Sequence, residues 1–517
     1  MGLPSGKMLM TSNSRLNLIL LLWCSSIMST SLGYDSSMMS SLNILPSYTD
    51  YFSLTTTTLA LQSAVSWAGS TVAGLFYGQV TDYIGRKNAL WLSALLTLIG
   101  AVIQASAQNI GMFVAARFIV GIGNGATFTA GPAYLVECFP VQSRGIGLAI
   151  FMDFFYVGGL LSSGITYGTA QIASTWAWRI PSLLQILFMI LGVIVLPMLP
   201  ESPRWLIYQD RHEEALEAIS LLNSNGNKED PVVLLTFQEI VETIKHETEM
   251  EHQKTSITEL VKSKQSMHRM MLVLAVAVIS MASGNNIITF YLGKMLDNAG
   301  ITDSTTQLEI NIILNAWCLV VAVIGTLLLD RLGRRRLALY SAIAMTVFLF
   351  MVGALTKAYG DSTNQSGIYG TVACIFLFQG AYSFGWTPLA MLYPPEVLNY
   401  SIRSVGMGIY TFVTNGVGLM VSMAFPYALD AIGWETYMIN GAWDVLQVVF
   451  IALYWIETKG KTLEEIDELF DGTAVTANMI HVQDVIEGRV PDDKVASTVQ
   501  TAIVNKDEME RQQGLDA

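Results

Sequence analysis

The sequence has few charged residues: Asp, Glu, Lys and Arg together make up 13% of its 517 positions. Soluble domains carry about a quarter charged residues, so this composition excludes an ordinary soluble domain. Hydrophobic residues reach 52% and the mean hydropathy is +0.46, as is typical of a membrane protein. Cysteine is also scarce, and Cys24, Cys138, Cys318 and Cys374 stand at unrelated spacings. We therefore expect neither a disulfide framework nor a metal site, and no cofactor.

Long apolar runs are what the sequence does contain. Segments of about 20 residues, long enough to cross about 30 Å of hydrocarbon as a helix, recur along the chain. Twelve of them lie near 16–34, 57–78, 89–107, 110–132, 146–168, 180–199, 269–292, 309–329, 337–356, 367–390, 404–426 and 434–455. We therefore predict an all-α membrane protein with twelve transmembrane helices.

The basic residues predict the orientation in the bilayer. Placing both termini on the cytoplasmic side assigns most of the 28 Lys and Arg to the tails and the inner connections. The exceptions are Arg179, Lys294 and Lys357 near the outer face, and Arg117 inside an apolar segment. The net charge of −13 comes largely from solvated segments, and we expect no nucleic-acid partner. The first apolar segment is too long for a signal peptide and lacks a small-residue cleavage site, so it predicts helix 1.

Polar stretches divide the chain. We predict a cytoplasmic tail over 1–15, six-helix bundles over 16–199 and 269–456, and a second cytoplasmic tail over 457–517. The linker over 200–268 contains "HEEALEAISLL", whose apolar spacing predicts amphipathic helices. Asn364 begins the sequon Asn-Gln-Ser in a loop predicted to face outside, so it is a candidate glycosylation site of a plasma-membrane protein.

Three charged motifs occur once in each half. "DYIGRK" at Asp82 and "DRLGRRR" at Asp330 are 248 residues apart, and Glu201 and Glu457 are 256 apart. Glu137 and Arg144 repeat as Glu396 and Arg403, each at an offset of 259. Such similar offsets predict a duplicated unit. Two pseudo-symmetric six-helix halves are what alternating access requires; a bundle channel is the alternative, but the repeated charge clusters favour a rocking transporter.

These motifs resemble those of the sugar porter family of the major facilitator superfamily. The resembling stretches, spread over residues 33–463, are "GYD", "GQVTDYIGRK", "ARFIVGIGNG", "GPAYLVECFPVQSRG", "PESPRWL", "DRLGRRR", "PPEVLNYSIRS" and "ETKGKT". "GYDSSMMSSLNILPSYTDYF" and "GWTPLAMLYPPEVLNYSIRSVG" look closest to the fungal lactose-permease-like branch, which is near the hexose transporters. The resemblance implies the twelve-helix major facilitator fold.

The resemblance also implies a latch on the inner side that stabilises the outward-facing state. Salt bridges near water are individually weak, about 0–1 kcal/mol, but a network can bias a two-state equilibrium. The alternative is that these charges only hold loops inside. The gating candidates are Asp82, Arg86, Glu137, Arg144, Glu201, Arg204, Asp330, Arg334, Glu396, Arg403 and Glu457.

Arg117 is the clearest charge inside the membrane. It lies about eight residues into helix 4, hence about 12 Å deep, and burying it is costly unless it finds a partner. If helix 1 continues to just before Pro46, Asp35 lies at a similar depth, and we expect the two to pair. In the resembling family such a pair serves proton symport; the alternative is that Asp35 caps the helix or faces the outer vestibule.

A sugar site needs amides for hydroxyl groups and an aromatic face for the ring. The substrate-binding candidates are Gly284, Asn286, Tyr291, Asn315, Trp386, Asn415 and Asp153, the last with a structural role as its alternative. The two glutamines usual in the family's seventh helix are Ser280 and Met281 here, and a later tryptophan is Met391. The substrate is then bound differently from that of most members, or it is not a sugar.

The sequence therefore predicts proton-coupled uptake of a mono- or disaccharide through the bilayer by a monomer. The alternative is import or export of another metabolite, such as a polyhydroxy acid or a secondary metabolite. A nutrient sensor is disfavoured because the tail after Phe470 is short. An enzyme is disfavoured because no nucleophile-and-base set occurs.

Overall fold

The computed structural model describes residues 11–140, 144–251, 264–360, 362–398, 400–459 and 470. Within these ranges, the side chains of residues 144–146, 246–251, 330 and 400–405 are not described. Every regular element in the described ranges is a helix, which agrees with the predicted all-α class.

Six long helices form the first half of the molecule. They are α1 (Ser14–Ile44), α3 (Thr56–Ile84), α4 (Arg86–Ala105), α5 (Ile110–Cys138), α6 (Arg144–Ala170) and α7 (Trp176–Val195), with a short α2 (Pro46–Thr49) after α1. Helix α1 continues through Asp35 and ends two residues before Pro46, as the sequence predicts. Its polar run "SSMMSS" remains helical because most of these residues are buried.

The second half repeats this arrangement with one broken helix. Its elements are α11 (Lys264–Ala282), α12 (Asn285–Asn298), α13 (Ser304–Leu332), α14 (Arg334–Tyr359), α15 (Gln365–Val397), α16 (Tyr400–Ile432) and α17 (Glu435–Tyr454). Helices α11 and α12 together are the seventh membrane segment, interrupted at Ser283 and Gly284. Gly284 has φ +87°, a left-handed conformation that favours glycine.

By length and hydropathy, eleven helices of the described residues can cross a membrane. Helix α3 is the twelfth long helix; its 29 residues pack between α5 and α16. Its apolarity is low because its buried face carries polar side chains, among them Gln62, Ser63 and Ser70. The twelve-segment prediction therefore stands, with one helix whose polar side is turned into the protein.

Three further helices connect the halves on one face, which we call the linker face. They are α8 (Pro203–Tyr208), α9 (His212–Asn223) and α10 (Pro231–Glu251), and they share an apolar cluster that includes Trp205, Leu216 and Phe237. Helix α9 also packs on the beginning of α1. The amphipathic pattern of "HEEALEAISLL" thus predicts α9 correctly.

The halves meet mainly along three helix pairs: α3 with α16, α6 with α13, and α1 with α12. Several polar contacts between the halves lie on the face opposite the linker. Thr56 donates to Asp430 Oδ2, and Tyr167 donates to Glu309 Oε1 at 3.0 Å. Asn43 Nδ2 donates to the carbonyl oxygen of Phe290 at 3.1 Å. The halves are therefore in contact at that face in this structure.

Candidate functional site

A cavity of about 250 Å³ lies between the two halves. The first half contributes Asp35, Trp67, Arg117, Asn124 and Tyr156, and the second contributes Asn286, Phe290, Asn315, Gln379, Trp386 and Asn415, among others. Mostly apolar walls with a few polar groups are typical of a small-molecule site, although such sites usually enclose about 300–1,000 Å³. The cavity therefore suits a small solute.

Asp35 and Arg117 form a buried ion pair on the cavity wall. Arg117 Nη1 donates to Asp35 Oδ1, and the two residues are 3% and 1% exposed. Helix α5 begins at Ile110 because the side chain of Asn109 caps it, accepting from the Met112 amide at 2.8 Å. That start places Arg117 two turns inside the helix. The predicted pair is present, while its role in proton coupling stays a prediction.

Asn124 completes this polar cluster. Its Nδ2 donates to Asp35 Oδ2 at 3.0 Å, so each carboxylate oxygen of Asp35 accepts from a different residue. The Oδ1 atom of Asn124 has no hydrogen-bond partner among the described residues. Among the lining residues, Asp35 and Arg117 are the only two that carry a full charge.

Four of the predicted substrate-binding residues line the cavity. Asn286 Nδ2 donates to the Met281 carbonyl oxygen at 2.9 Å and so bridges the break in the seventh segment. Asn315 donates to Ser163 Oγ at 3.0 Å, across the boundary between the halves. Asn415 donates to the Thr411 carbonyl oxygen at 3.0 Å. Trp386 is completely buried and packs edge-on against Trp455.

The other three predicted substrate-binding residues do not line the cavity. Gly284 lies in the backbone break, and Tyr291 is turned away to donate to the Ser422 carbonyl oxygen at 2.6 Å. Asp153 is 7% exposed and accepts from Thr326 Oγ1 of the other half at 3.2 Å. In this structure they lie beside the cavity wall, and their part in substrate binding stays a prediction.

Sequence reasoning missed several polar residues of the cavity wall, among them Asn124, Tyr156 and Gln379. Helical spacing could have found two of them. Asn124 stands seven residues after Arg117, and Gln379 stands seven before Trp386, two turns along the same helix face in each case. Tyr156 accepts from Ser383 Oγ at 2.8 Å and contacts Thr387 Oγ1 at 2.9 Å, so it joins the two halves.

The first charge cluster lies at the linker face, where α3 turns into α4. Arg86 pairs with Asp82 at 3.0 Å and with Glu137 at 2.9 Å, and the Ser202 hydroxyl donates to Glu137. Glu201 accepts from the Lys87 amide at 3.0 Å. Burial raises the pKa of Glu201, and the amides of Lys87 and Ser202 oppose that shift by donating to its carboxylate.

The second cluster repeats the arginine–glutamate pair, the hydroxyl donor and the amide-bound glutamate of the first. Arg334 pairs with Glu396 at 2.9 Å, and Thr458 Oγ1 donates to Glu396 at 2.6 Å. Glu457 accepts from the amides of Arg334 at 2.7 Å and Arg335 at 3.1 Å. The two acidic residues Glu201 and Glu457 therefore hold the N-termini of α4 and α14, where a carboxylate is favoured.

For four gating candidates the structure gives no side-chain contact that can be described here. The side chains of Arg144, Asp330 and Arg403 lie outside the described residues. Arg204 lies on α8, and burial lowers its pKa while Glu137 acts in the opposite direction. The clusters are therefore built within each half, and their role in gating stays a prediction.

Replacing Glu457 is expected to weaken the second cluster. In Glu457→Gln, only one oxygen remains to accept from the two amides, and the charge at the N-terminus of α14 is lost. If the cluster stabilises the outward-facing state, the KM for external substrate rises, by about tenfold for each 1.4 kcal/mol of shift. Initial uptake rates over a range of external substrate concentrations measure this.

Asp303→Asn is the matched control for that variant. Asp303 also caps a helix, α13, by accepting from the Thr306 amide at 2.8 Å, but at the opposite face. The KM of Asp303→Asn for external substrate is expected to stay near that of the unaltered protein. An equal rise of KM in both variants would contradict a specific role of the linker-face cluster.

Asn364 is exposed at the face opposite the linker. Its side chain caps α15 by accepting from the Ser366 amide at 3.1 Å. Its glycosylation stays a prediction.

Comparison with known proteins gives one family over most of the chain. The family model "Sugar (and other) transporter" matches residues 21–470. The MFS-type transporter oryC of Aspergillus oryzae is 28% identical over 456 residues, covering 85% of this chain and 82% of that protein. The high-affinity glucose transporter of Kluyveromyces lactis is 28% identical over 458 residues, with the same coverage.

Solved structures give the same fold. The proton:xylose symporter XylE bound to 6-bromo-6-deoxy-D-glucose superimposes with a TM-score of 0.73 at 21% identity, over 89% of this chain and all of that one. The inward open conformation of XylE from E. coli superimposes with a TM-score of 0.71 at 22% identity, over 88% of this chain and all of that one.

Proposed function

The chain belongs to the sugar (and other) transporter family of the major facilitator superfamily, and on that premise we propose that it takes up a sugar together with a proton. The observation that carries the proposal is the Asp35–Arg117 ion pair on the wall of a cavity between two six-helix halves. A buried ionisable residue within a membrane helix marks a functional site by default. A pair open to the substrate cavity can exchange a proton when the substrate binds.

The cavity favours a neutral polyhydroxy substrate over a polyhydroxy acid. A substrate carboxylate needs a cation, but Arg117, the only cation among the lining residues, is already paired with Asp35. By contrast, the side-chain amides of Asn124 and Gln379 also line the cavity, one from each half. Neutral amides match the hydroxyl groups of a sugar.

The family's usual amides are replaced by others at new positions. Ser280 and Met281 stand where two glutamines are common, and Gln379 on α15 contributes an amide instead, donating to Asn285 Oδ1 at 2.8 Å. Trp386 offers an aromatic surface beside them. We propose that Asn286, Asn315, Gln379, Trp386 and Asn415 bind the sugar.

The two linker-face clusters fit a rocking mechanism because each ties the helix ends of one half together. We propose that they bias the alternation between outward-facing and inward-facing states. In this scheme the linker face is cytoplasmic, both termini with it, and the protein works as a monomer in the plasma membrane. The boundaries at 15, 199, 268 and 456 are proposed as those of the tails, bundles and linker.

Uptake by purified protein in liposomes tests the proposal. With an inward proton gradient, at least one neutral compound from a panel of glucose, xylose, lactose and myo-inositol is expected to accumulate above its external concentration. Gluconate, a polyhydroxy acid, is not expected to accumulate. A protonophore should collapse the accumulated sugar to the external level.

Two outcomes count against the proposal. Failure of every neutral compound, with accumulation of gluconate, would favour the metabolite alternative. Sugar entry that never exceeds the external concentration would leave a facilitative transporter and remove the proton from the reaction.

A further inference from the structure

We propose that Asn43 holds Phe290 in the cavity wall when the outer face of the protein closes, and that Gln62 and Tyr48 hold Asn43 in the orientation this requires. The inference rests on the proposed function, because it assumes that the halves alternate and that the face opposite the linker is the outer one. It assigns positioning residues, since Asn43, Gln62 and Tyr48 do not line the cavity themselves.

Phe290 is held by the first half from two sides. It lines the cavity, and its ring meets the Trp67 ring of α3 edge-on, with 6.4 Å between the ring centroids. Its carbonyl oxygen accepts from Asn43 Nδ2, near the end of α1, at 3.1 Å. Both contacts join the two halves, so both must break when the halves separate at this face.

The bond from Asn43 reaches α12 at a kink. Tyr291, the next residue after Phe290, leaves helical geometry with φ −129° and ψ 28°, and a side chain that inserts into the helical hydrogen bonds is a recognised cause of kinks. Across this kink Phe290 faces the cavity, whereas the Tyr291 hydroxyl donates to the Ser422 carbonyl oxygen at 2.6 Å. Asn43 therefore acts at the point where the direction of the Phe290 ring is set.

A second contact seats α12 on the end of α1. A Cβ at Gly293 would lie 2.7 Å from Ile44 Cγ1, so the backbone of α12 rests directly against α1 there. Ile44 follows Asn43 in the chain, and Gly293 lies about one turn after Phe290. The two helices thus meet at two adjacent points, and Asn43 supplies the polar one.

Hydrogen-bonding rules fix the orientation of the amides behind this contact. A carbonyl oxygen can only accept, so Asn43 must turn its Nδ2 toward Phe290 and its Oδ1 toward Gln62. Gln62 Nε2 donates to that Oδ1 at 2.8 Å, which leaves Gln62 Oε1 to accept from the Tyr48 hydroxyl at 2.5 Å. Each amide has one orientation that satisfies all of these bonds.

The far end of this hydrogen-bonded chain is fixed in the first half. Tyr48 is completely buried. It packs against three aromatic rings, with centroids 5.2, 5.3 and 5.8 Å away: Phe52, Phe113 and Trp178. Gln62 is also completely buried, so turning its amide over would leave buried polar groups unpaired, which is costly. The amide of Asn43 is therefore held in its donating orientation.

The consequence concerns closure of the outer face. Because the Asn43–Phe290 bond joins the halves, it stabilises the closed outer face relative to the open one. Closure then does two things together: it separates the cavity from the outside, and it completes the aromatic part of the cavity wall.

Labelling of the cavity from outside tests the inference without a substrate. Ser66 lines the cavity and is half-buried, so a membrane-impermeant thiol reagent, added to intact cells that express the full chain, can report opening at Ser66→Cys. Cys318 also lines the cavity and is replaced by Cys318→Ala in every variant. Asn43→Leu, which removes the amide at similar size, is expected to speed labelling about fivefold.

Gln62→Met tests the support behind Asn43. It removes the donor to Asn43 Oδ1 and should speed labelling by less than Asn43→Leu does, since Asn43 can still donate to Phe290. Because Gln62 acts through Asn43, the double variant should label no faster than Asn43→Leu alone.

Asn109→Ala is the matched control. Asn109 is an asparagine at the same face, but its side chain accepts from the Met112 amide within the first half, so its labelling rate should stay unchanged. Asn43→Ala replaces Asn43→Leu if the larger side chain prevents folding.

Uptake kinetics give a second readout. A larger outward-open fraction lowers the KM for external sugar, while weaker closure lowers the maximal rate, so Asn43→Leu should lower both. Its effect on KM is then opposite in sign to that of Glu457→Gln. General damage to the protein would lower the maximal rate alone.

Four results overturn the inference: unchanged labelling in the Asn43 variants, an equal rise in Asn109→Ala, full additivity in the double variant, or a lower maximal rate at unchanged KM. Uptake by the unaltered protein decides the proposed function separately. Faster labelling of Asn43→Leu without sugar uptake by the unaltered protein removes the proposed substrate and keeps closure through Asn43. Proton-coupled uptake with unchanged labelling removes only this inference.

Discussion

Asp35→Asn is expected to abolish uphill accumulation while the protein still exchanges labelled for unlabelled sugar. Asparagine has the size of aspartate and can still accept from Arg117, but it cannot bind a proton in the relevant pH range. One proton entering at 100 mV contributes about 2.3 kcal/mol, and each pH unit adds about 1.4 kcal/mol. The unaltered protein can therefore accumulate sugar roughly 50-fold, and tenfold more for each pH unit. In Asp35→Asn the internal sugar concentration should only reach the external one.

Asp153→Asn is the matched control, because Asp153 is also a buried carboxylate of the first half. It faces Thr326 and no cation among the described residues, and it lies outside the cavity wall. Its accumulation ratio should stay close to that of the unaltered protein. Uphill accumulation by Asp35→Asn, or its loss in Asp153→Asn alone, would place proton coupling at another residue.

Gly158→Ala is expected to prevent correct assembly of the first half. Helices α1 and α6 cross so closely that a Cβ at Gly158 would lie 1.9 Å from the carbonyl oxygen of Thr30. The reciprocal contact is as tight, with a Cβ at Gly33 lying 1.8 Å from the carbonyl oxygen of Phe155. Small residues allow membrane helices to approach in this way, and a backbone atom cannot rotate aside. The yield of monodisperse protein in detergent should fall at least several-fold.

Gly164→Ala on the same helix separates this clash from a general effect of alanine. A Cβ at Gly164 meets no atom within 4 Å, and alanine favours a helix over glycine by about 1 kcal/mol. Its yield should equal or exceed that of the unaltered protein. Normal yield and size-exclusion behaviour of Gly158→Ala would contradict the tight crossing of α1 and α6.

The long apolar helices could be predicted because bilayer thickness sets their length. The repeated clusters at Arg86 and Arg334 were also visible, since charges at helix ends leave local signals. Glu201 and Glu457 were less predictable. The family resemblance implied that they belong to an ionic latch. In the structure both accept from amides at helix N-termini, which requires the chain to return to α4 and α14 through distant segments.

The sequence was least able to predict which side chains line the cavity. Tyr291 and Phe290 are adjacent, yet only Phe290 lines the cavity, because the rotation of α12 after its break decides which side chain faces inward. Asp153 looked like a site residue because it is charged and intramembrane, but its helix turns it toward Thr326. The depths of Arg117 and Asp35 can be predicted without knowing how their helices are rotated, by counting residues from the helix ends. That pair was therefore predicted correctly.

The most direct test of the account is whether sugar movement carries protons. Liposomes containing the protein and a trapped pH indicator, with equal pH on both sides and the membrane potential clamped at zero, receive an inward sugar gradient. We predict that the interior acidifies as the sugar enters, and that Asp35→Asn admits sugar by exchange without acidification. Sugar entry into liposomes with the unaltered protein at constant internal pH would contradict proton coupling through the Asp35–Arg117 pair.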